Sequence, residues 1–153
     1  MKIIFLDFDG VLNSFRYDKI RLPSEGNIDK TRLPLLKEII DKTGAKIVLT
    51  TSWRKHWNKD FSLCSDTGKD FLKDFSQFGI EIFDKTEDFG INKRFEEITS
   101  WLNNHKDVES FVILDDIASG WGKLSDNVVN TNFRILRGLE KKHVDKAIEI
   151  LNK

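Results

Sequence analysis

The residues that close the apolar runs constrain this chain most. Ile3-Ile4-Phe5-Leu6 runs directly into Asp7-Phe8-Asp9-Gly10, Ile47-Val48-Leu49 into Thr50-Thr51-Ser52, and Phe111-Val112-Ile113-Leu114 into Asp115-Asp116. Unbroken apolar runs of this length suit strands buried on both faces, as in a parallel sheet covered by helices. Ile80-Glu81-Ile82-Phe83 and Val128-Val129 are weaker strand candidates. Helical stripes lie between the runs. Leu33, Leu36, Ile39 and Ile40 form one, stopped by Gly44. Phe95, Ile98, Trp101 and Leu102 form a second after Asn92, read as its N-cap. Val144, Ala147, Ile148 and Leu151 form a terminal helix, and the stretch 54–78 reads as partly helical. Strands alternating with helices predict an α/β fold with a mainly parallel central sheet. Such sheets bind ligands beyond the carboxyl ends of their strands, where all three polar groups fall.

Composition narrows the function classes. A chain of 153 residues predicts a single domain spanning 1–153, with no Gly/Ser-rich linker and only Pro23 and Pro34 as prolines. Basic and acidic residues balance at 25 each, which argues against a polybasic nucleic-acid coat while leaving room for a local patch. No apolar run approaches the roughly 18 residues of a membrane span. Cys64 is alone, so no internal disulfide forms and a Cys-based zinc site is not expected. Met1-Lys2 runs straight into a strand, which leaves no room for a signal peptide, and a reduced, cytoplasmic protein is expected.

The chemistry follows from the acids. Any single Asp after a strand is explained as a turn former or helix cap. Carboxylates and hydroxyls at three strand ends are not, because neighbouring carboxylates repel and raise one another's pKa. A hard cation with oxygen ligands relieves this, and few protein ligands plus a substrate phosphate suit Mg²⁺ better than Ca²⁺.

Asp7-Phe8-Asp9-Gly10-Val11-Leu12 after an apolar strand resembles the first motif of the haloacid dehalogenase (HAD) superfamily. A Ser/Thr closing a strand, within Ile47–Ser52, resembles the second motif, and Asp115-Asp116 the fourth, in the superfamily's order. The narrower pattern runs from Val48-Leu49-Thr50-Thr51-Ser52-Trp53-Arg54 through Arg94, Glu97, Ile98, Trp101 and Leu102 to Ile113–Asp116 and Gly138-Leu139. It is similar to the HAD domains of Swiss Army Knife RNA-repair proteins. The resemblance implies a Rossmannoid three-layer sandwich and a phosphatase.

The implied roles are these. Asp7 attacks phosphorus and forms an aspartyl-phosphate. Asp9 protonates the leaving group and then activates water, which calls for a pKa raised by burial and acidic neighbours. Asp7, the Asp9 carbonyl and Asp115 hold Mg²⁺, with Asp116 assisting. Thr51 donates to a phosphate oxygen, preferred over Thr50 because the motif residue follows a four-residue run, here Ile47–Thr50; Gly10 and Ser52 add contacts. Lys93 and Arg94 compete for the third motif's cation. Arg94 is assigned because it shares a stripe with Ile98 and Trp101, whereas Lys93 shares one with Glu96 and Glu97.

Other residues carry two readings. Trp53 and Trp57 either pack or stack bases, and Arg54 with Lys55, Arg16, Lys19 and Arg21 is either a phosphate-attracting rim or ordinary surface charge. His56, His105 and His143 show no ligand spacing and read as surface residues. Trp121 either lines the site or closes an apolar edge. Neither gap between motifs holds a full α/β cap, so an open site is expected, suited to a phosphate on a nucleotide, a polynucleotide end or another phosphomonoester. Two rivals stand beside a phosphatase. One is a receiver-like domain with Asp84 as phosphoacceptor, and the other is a catalytically silent phosphate-binding module.

Overall fold

The computed structural model describes residues 1–22, 26–131 and 137–153. Its strands are β1 (Lys2–Leu6), β2 (Lys46–Leu49), β3 (Ile82–Lys85), β4 (Ser110–Asp115) and β5 (Val128–Asn130). They form one sheet in the order β3-β2-β1-β4-β5, and every pairing is parallel. The helices are α1 (Phe15–Ile20), α2 (Leu33–Thr43), α3 (Asp66–Gln77), α4 (Arg94–Asn104) and α5 (Lys141–Leu151).

Side chains along a strand alternate between its faces, and here both faces are buried. Ile4, Leu6, Ile47, Leu49, Val112 and Leu114 join the core that α2, α3 and α5 cover. Ile3, Phe5, Val48 and Ile113 join a second core with Ile98 and Trp101 of α4, Trp121 and Leu124. This is the three-layer sandwich that the continuous apolar runs require.

The chain builds β2 and β3 outward on one side of β1, then crosses over to build β4 and β5 on the other. The order therefore reverses beside β1, the switch point where open parallel sheets place ligands. Leu6 pairs with both Leu49 and Leu114, so Asp7, Thr50 and Asp115 follow in one row. Asp7 N–H donates to the Leu114 carbonyl, and Thr50 N–H to that of Leu6.

Several local expectations are corrected. The third strand is Ile82–Lys85 rather than 80–83, and a register shift between Ile47 and Val48 accommodates it. Asn92 does not cap α4. It takes a left-handed φ of 59°, which Asn tolerates, and Lys93 sits at the N-cap without a side-chain bond. His143 is buried rather than at the surface, and it exchanges the reciprocal capping bonds with Glu140 that start α5. The stretch 54–78 resolves into short 3₁₀ turns and α3, whose N-cap Ser65 accepts from Gly68 N–H. Between Leu12 and Asp29, joined by a backbone hydrogen bond, the described residues form only α1 and loop.

Candidate active site

At the carboxyl ends of β1 and β4, the carboxylates of Asp7, Asp115 and Asp116 offer oxygens within 4.8 Å of one another. Asp7 and Asp115 are buried and Asp116 is partly so. Arg94, the first residue of α4, reaches both buried acids: its Nη1 lies 2.8 Å from Asp7 Oδ2 and 2.5 Å from Asp115 Oδ2. The stripe that carries Ile98 and Trp101 into the second core also carries Arg94 toward the strand ends. Lys93 is exposed and, among the described residues, pairs only with Glu96, at 3.8 Å.

The electrostatics remain unbalanced despite Arg94. Burial, which Arg94 opposes and the Asp115 charge reinforces, raises Asp7 from its ordinary value of 3.8 to about 6. Burial raises Asp115 in the same way, against the pull of Arg94. Asp116 is raised by burial and then by Asp7. Its acidic partners hold Arg94 above its already high range despite its burial. One guanidinium thus serves three acids, and a set of hard oxygen donors this close fits a hard divalent cation. Gly10 lets the cluster close. Its φ is +79°, and a Cβ there would lie 2.3 Å from Asp116 Oδ2. Thr131, just past β5, donates its hydroxyl to the Gly10 carbonyl.

Asp9 is exposed rather than buried as expected. Its side chain is nonetheless held. Asn13 Nδ2 donates to Asp9 Oδ1 at 2.8 Å, and Trp53 Nε1 donates to Oδ2 at 3.2 Å. Asn13 also accepts from Gly10 N–H, which ties the turn to Asp9. Neither reading of Trp53, packing or stacking, foresaw this bond, and only the tertiary approach of residue 53 to residue 9 reveals it.

The two threonines differ. Thr51 caps the 3₁₀ turn Ser52–His56, accepting from Trp53 N–H, and its side chain is fully buried. Thr50 follows Val48 in strand alternation, on the face of Phe5 and Asp7, and its buried hydroxyl has no hydrogen-bond partner. The Thr51 hydroxyl oxygen is engaged as an acceptor while its proton is not, whereas the Thr50 hydroxyl is wholly unpartnered. Counting residues in the run could not show which hydroxyl oxygen the cap engages. Ser52 is exposed and lines a cavity of about 340 Å³ with Arg94.

Arg54 is not part of an exposed rim. It is buried and pairs with Glu97 Oε1 at 2.9 Å, and Glu97 also accepts from Phe89 N–H. Its Nη1 donates to the Thr50 carbonyl as well. This pair ties the β2 end to α4 and to the loop before it. Trp57 is buried and packs in the first core. Trp121 is buried and donates to the Ile117 carbonyl, closing the edge of the second core. His105 stacks on Trp101 with ring centroids 3.6 Å apart. Asp84 lies within β3, apart from the acid cluster, and accepts from Trp101 Nε1 at 2.9 Å.

An all-parallel α/β sheet with an acid-x-acid turn after its first strand, an acidic pair closing its fourth and a cation reaching in from the helix before that strand is the arrangement of a hydrolase-type domain of the HAD superfamily. Comparison with known families gives the particular branch. The family of HAD domains in Swiss Army Knife RNA repair proteins matches residues 3–144, and the chain belongs to it. No curated protein and no solved structure is a significant match.

Proposed function

We propose that this chain is a Mg²⁺-dependent phosphomonoester hydrolase that works through an aspartyl-phosphate on Asp7 and acts on the terminal phosphate of a nucleotide or polynucleotide. The observation that carries the reading is the convergence of Asp7, Asp115 and Asp116 within 4.8 Å at the switch point of the sheet. Asp7, Asp115, Asp116 and the main-chain oxygen of Asp9 would hold the cation, whose charge offsets repulsion between carboxylate and phosphate.

The protein's own residues divide the remaining work. The Asp7 carboxylate attacks phosphorus, the bond to the leaving oxygen breaks, and Asp9 gives that oxygen its proton. Asp9 then takes a proton from water, whose oxygen attacks phosphorus, releasing inorganic phosphate and restoring Asp7. Asn13 and Trp53 hold Asp9 at the mouth, where a bound substrate would cover it. Arg94 orients Asp7 and faces the transferring group, and Thr50 supplies a hydroxyl to a phosphate oxygen. Among the described residues, the excursion between Leu12 and Asp29 holds only α1, which favours an open site suited to a phosphate on a large substrate, and the family's link to RNA repair agrees with a nucleic-acid end.

The test is phosphate release from p-nitrophenyl phosphate. Activity should need Mg²⁺, vanish in EDTA and return on adding Mg²⁺, while Asp7→Asn should abolish it in a folded protein. Acid-quenched labelling from a phosphate donor should mark Asp7. A label at Asp84 instead would restore the receiver reading, and activity in excess chelator would remove the metal.

A further inference from the structure

A cavity of about 1020 Å³ opens beside the acid cluster, between α1, the segment before α2 and the start of α5. Its lining holds Arg16, Arg21, Lys30, Arg32, Arg137 and Lys141 against only Asp29 and Glu140, a local excess in a chain of zero net charge. Four of these cations are already engaged. Arg21 pairs with Asp18, Lys30 with Asp74, Arg32 with Asp29, and Lys141 with Glu38 and Asp145. Arg16 and Arg137 are exposed and have no hydrogen-bond or ion-pair partner among the described residues.

Arg137 lines this cavity and also a smaller one of about 240 Å³, which it shares with Asp9, Asp116 and Phe15. Ser14 borders both, so the two spaces adjoin. The Phe15 ring at that mouth is 62% exposed, with Lys19 Nζ 4.9 Å from its centroid. Leaving a phenyl ring and two unpaired guanidinium groups in water beside a phosphate-handling site brings the fold no stability. A guanidinium fork matches a phosphate's oxygens, and an exposed ring matches a base or sugar face.

We infer that Arg16 and Arg137 form a subsite for a second, non-scissile phosphate of the substrate, with Phe15 as the surface on which the adjoining nucleoside rests. This deepens the phosphomonoesterase reading and rests on it. A substrate with one phosphate leaves both arginines unused. A nucleic-acid end supplies its first phosphodiester to them and continues along the basic cavity. A nucleoside bisphosphate supplies the same second phosphate and stops there.

The experiment compares kcat/KM for p-nitrophenyl phosphate, a nucleoside bisphosphate, and single-stranded dinucleotide and decanucleotide carrying a terminal phosphate. The enzymes are wild type, the Arg16→Gln/Arg137→Gln double variant and Phe15→Ala, all changed at exposed positions. The ratio of decanucleotide to p-nitrophenyl phosphate should fall about tenfold or more in the double variant, the size of a lost charge-assisted contact, and about fivefold or more in Phe15→Ala, the size of a lost base stack, an unchanged ratio there removing Phe15 from the subsite. The double variant's salt slope should flatten by about 0.7, for the one single-strand phosphate that the two arginines neutralise. A bisphosphate that matches the decanucleotide supports the subsite and assigns it to a mononucleotide source; a gain with length assigns it to a strand. A wild-type ratio near one, or a ratio that the double variant leaves unchanged, overturns the inference. If wild type turns over no phosphomonoester at all, the phosphomonoesterase reading fails separately. Decanucleotide binding that is equal in wild type and double variant would then overturn the subsite as well.

Discussion

In metal-free buffer, Asp7→Asn should make the protein more stable at neutral pH, and the gain should fade as pH falls. Asp7 is buried and its pKa is raised from 3.8 to about 6, a balance that already includes the pull of Arg94. A carboxylate whose folded pKa exceeds its unfolded one penalises folding once ionised. That penalty is fully present above pH 6 and absent below the unfolded pKa. A tenfold difference in proton affinity between the folded and unfolded chain is worth about 1.36 kcal/mol, so the penalty approaches roughly 3 kcal/mol near pH 7.5. Asn relieves it at a cost. Asp7 accepts from both Phe8 N–H and Arg94, and an amide has only one oxygen to offer. One donor left poorly satisfied costs about 1–2 kcal/mol. The relief wins, with a net gain of about 1–2 kcal/mol, or roughly 2–8 °C in Tm for a chain of this size. The assay is thermal melting in EDTA at pH 7.5, 5.5 and 4. The gap should be largest at pH 7.5 and should vanish, or reverse by the amide's cost, at pH 4. Adding Mg²⁺ should raise the wild type and not the variant, by mass action on the folded state. A variant that melts below wild type at pH 7.5 in EDTA, or a gap that does not shrink with pH, would refute the argument that burial of a like-charged cluster dominates this site.

Three further outcomes follow from particular side chains. Arg54→Ala leaves Glu97 buried without its cation and should cost about 3–5 kcal/mol in urea unfolding, whereas Arg54→Met with Glu97→Met should recover most of it. Thr50→Val removes a buried, unpartnered hydroxyl and should stabilise the free protein by about 1 kcal/mol while cutting turnover; Thr51→Val should lose about 1 kcal/mol with its cap. Equal losses of kcat in both would reject Thr50 as the phosphate donor. Trp53→Phe keeps the ring but removes the N–H to Asp9, and kcat should drop about tenfold with an altered pH profile, as expected for a lost hydrogen bond to a charged group; an unchanged profile would make Trp53 mere packing.

The sequence alone determined the layer architecture and the strand ends at which the acids fall. Continuous apolar runs can be satisfied only by a sheet buried on both faces, and the period of the intervening stripes supplies the helices. A turn of Asp7-Phe8-Asp9-Gly10 and a pair of Asp115-Asp116 at strand ends are local features, legible without knowing what they meet. The Arg94 stripe was legible for the same reason, because helical spacing fixes a face. What residues do across the chain was not legible. Strand order is set by packing between elements distant in sequence, and it decides that Asp7, Thr50 and Asp115 share a row. Which threonine's oxygen the following turn engages depends on its cap geometry. Arg54 reads from the sequence as the best candidate for a phosphate-attracting rim, whereas its partner Glu97 arrives 43 residues later on α4. Trp53 reaches Asp9 across 44 residues, a bond that no spacing rule encodes. Periodicity reports the face a residue presents to its own element; only the folded chain decides what waits on the other side.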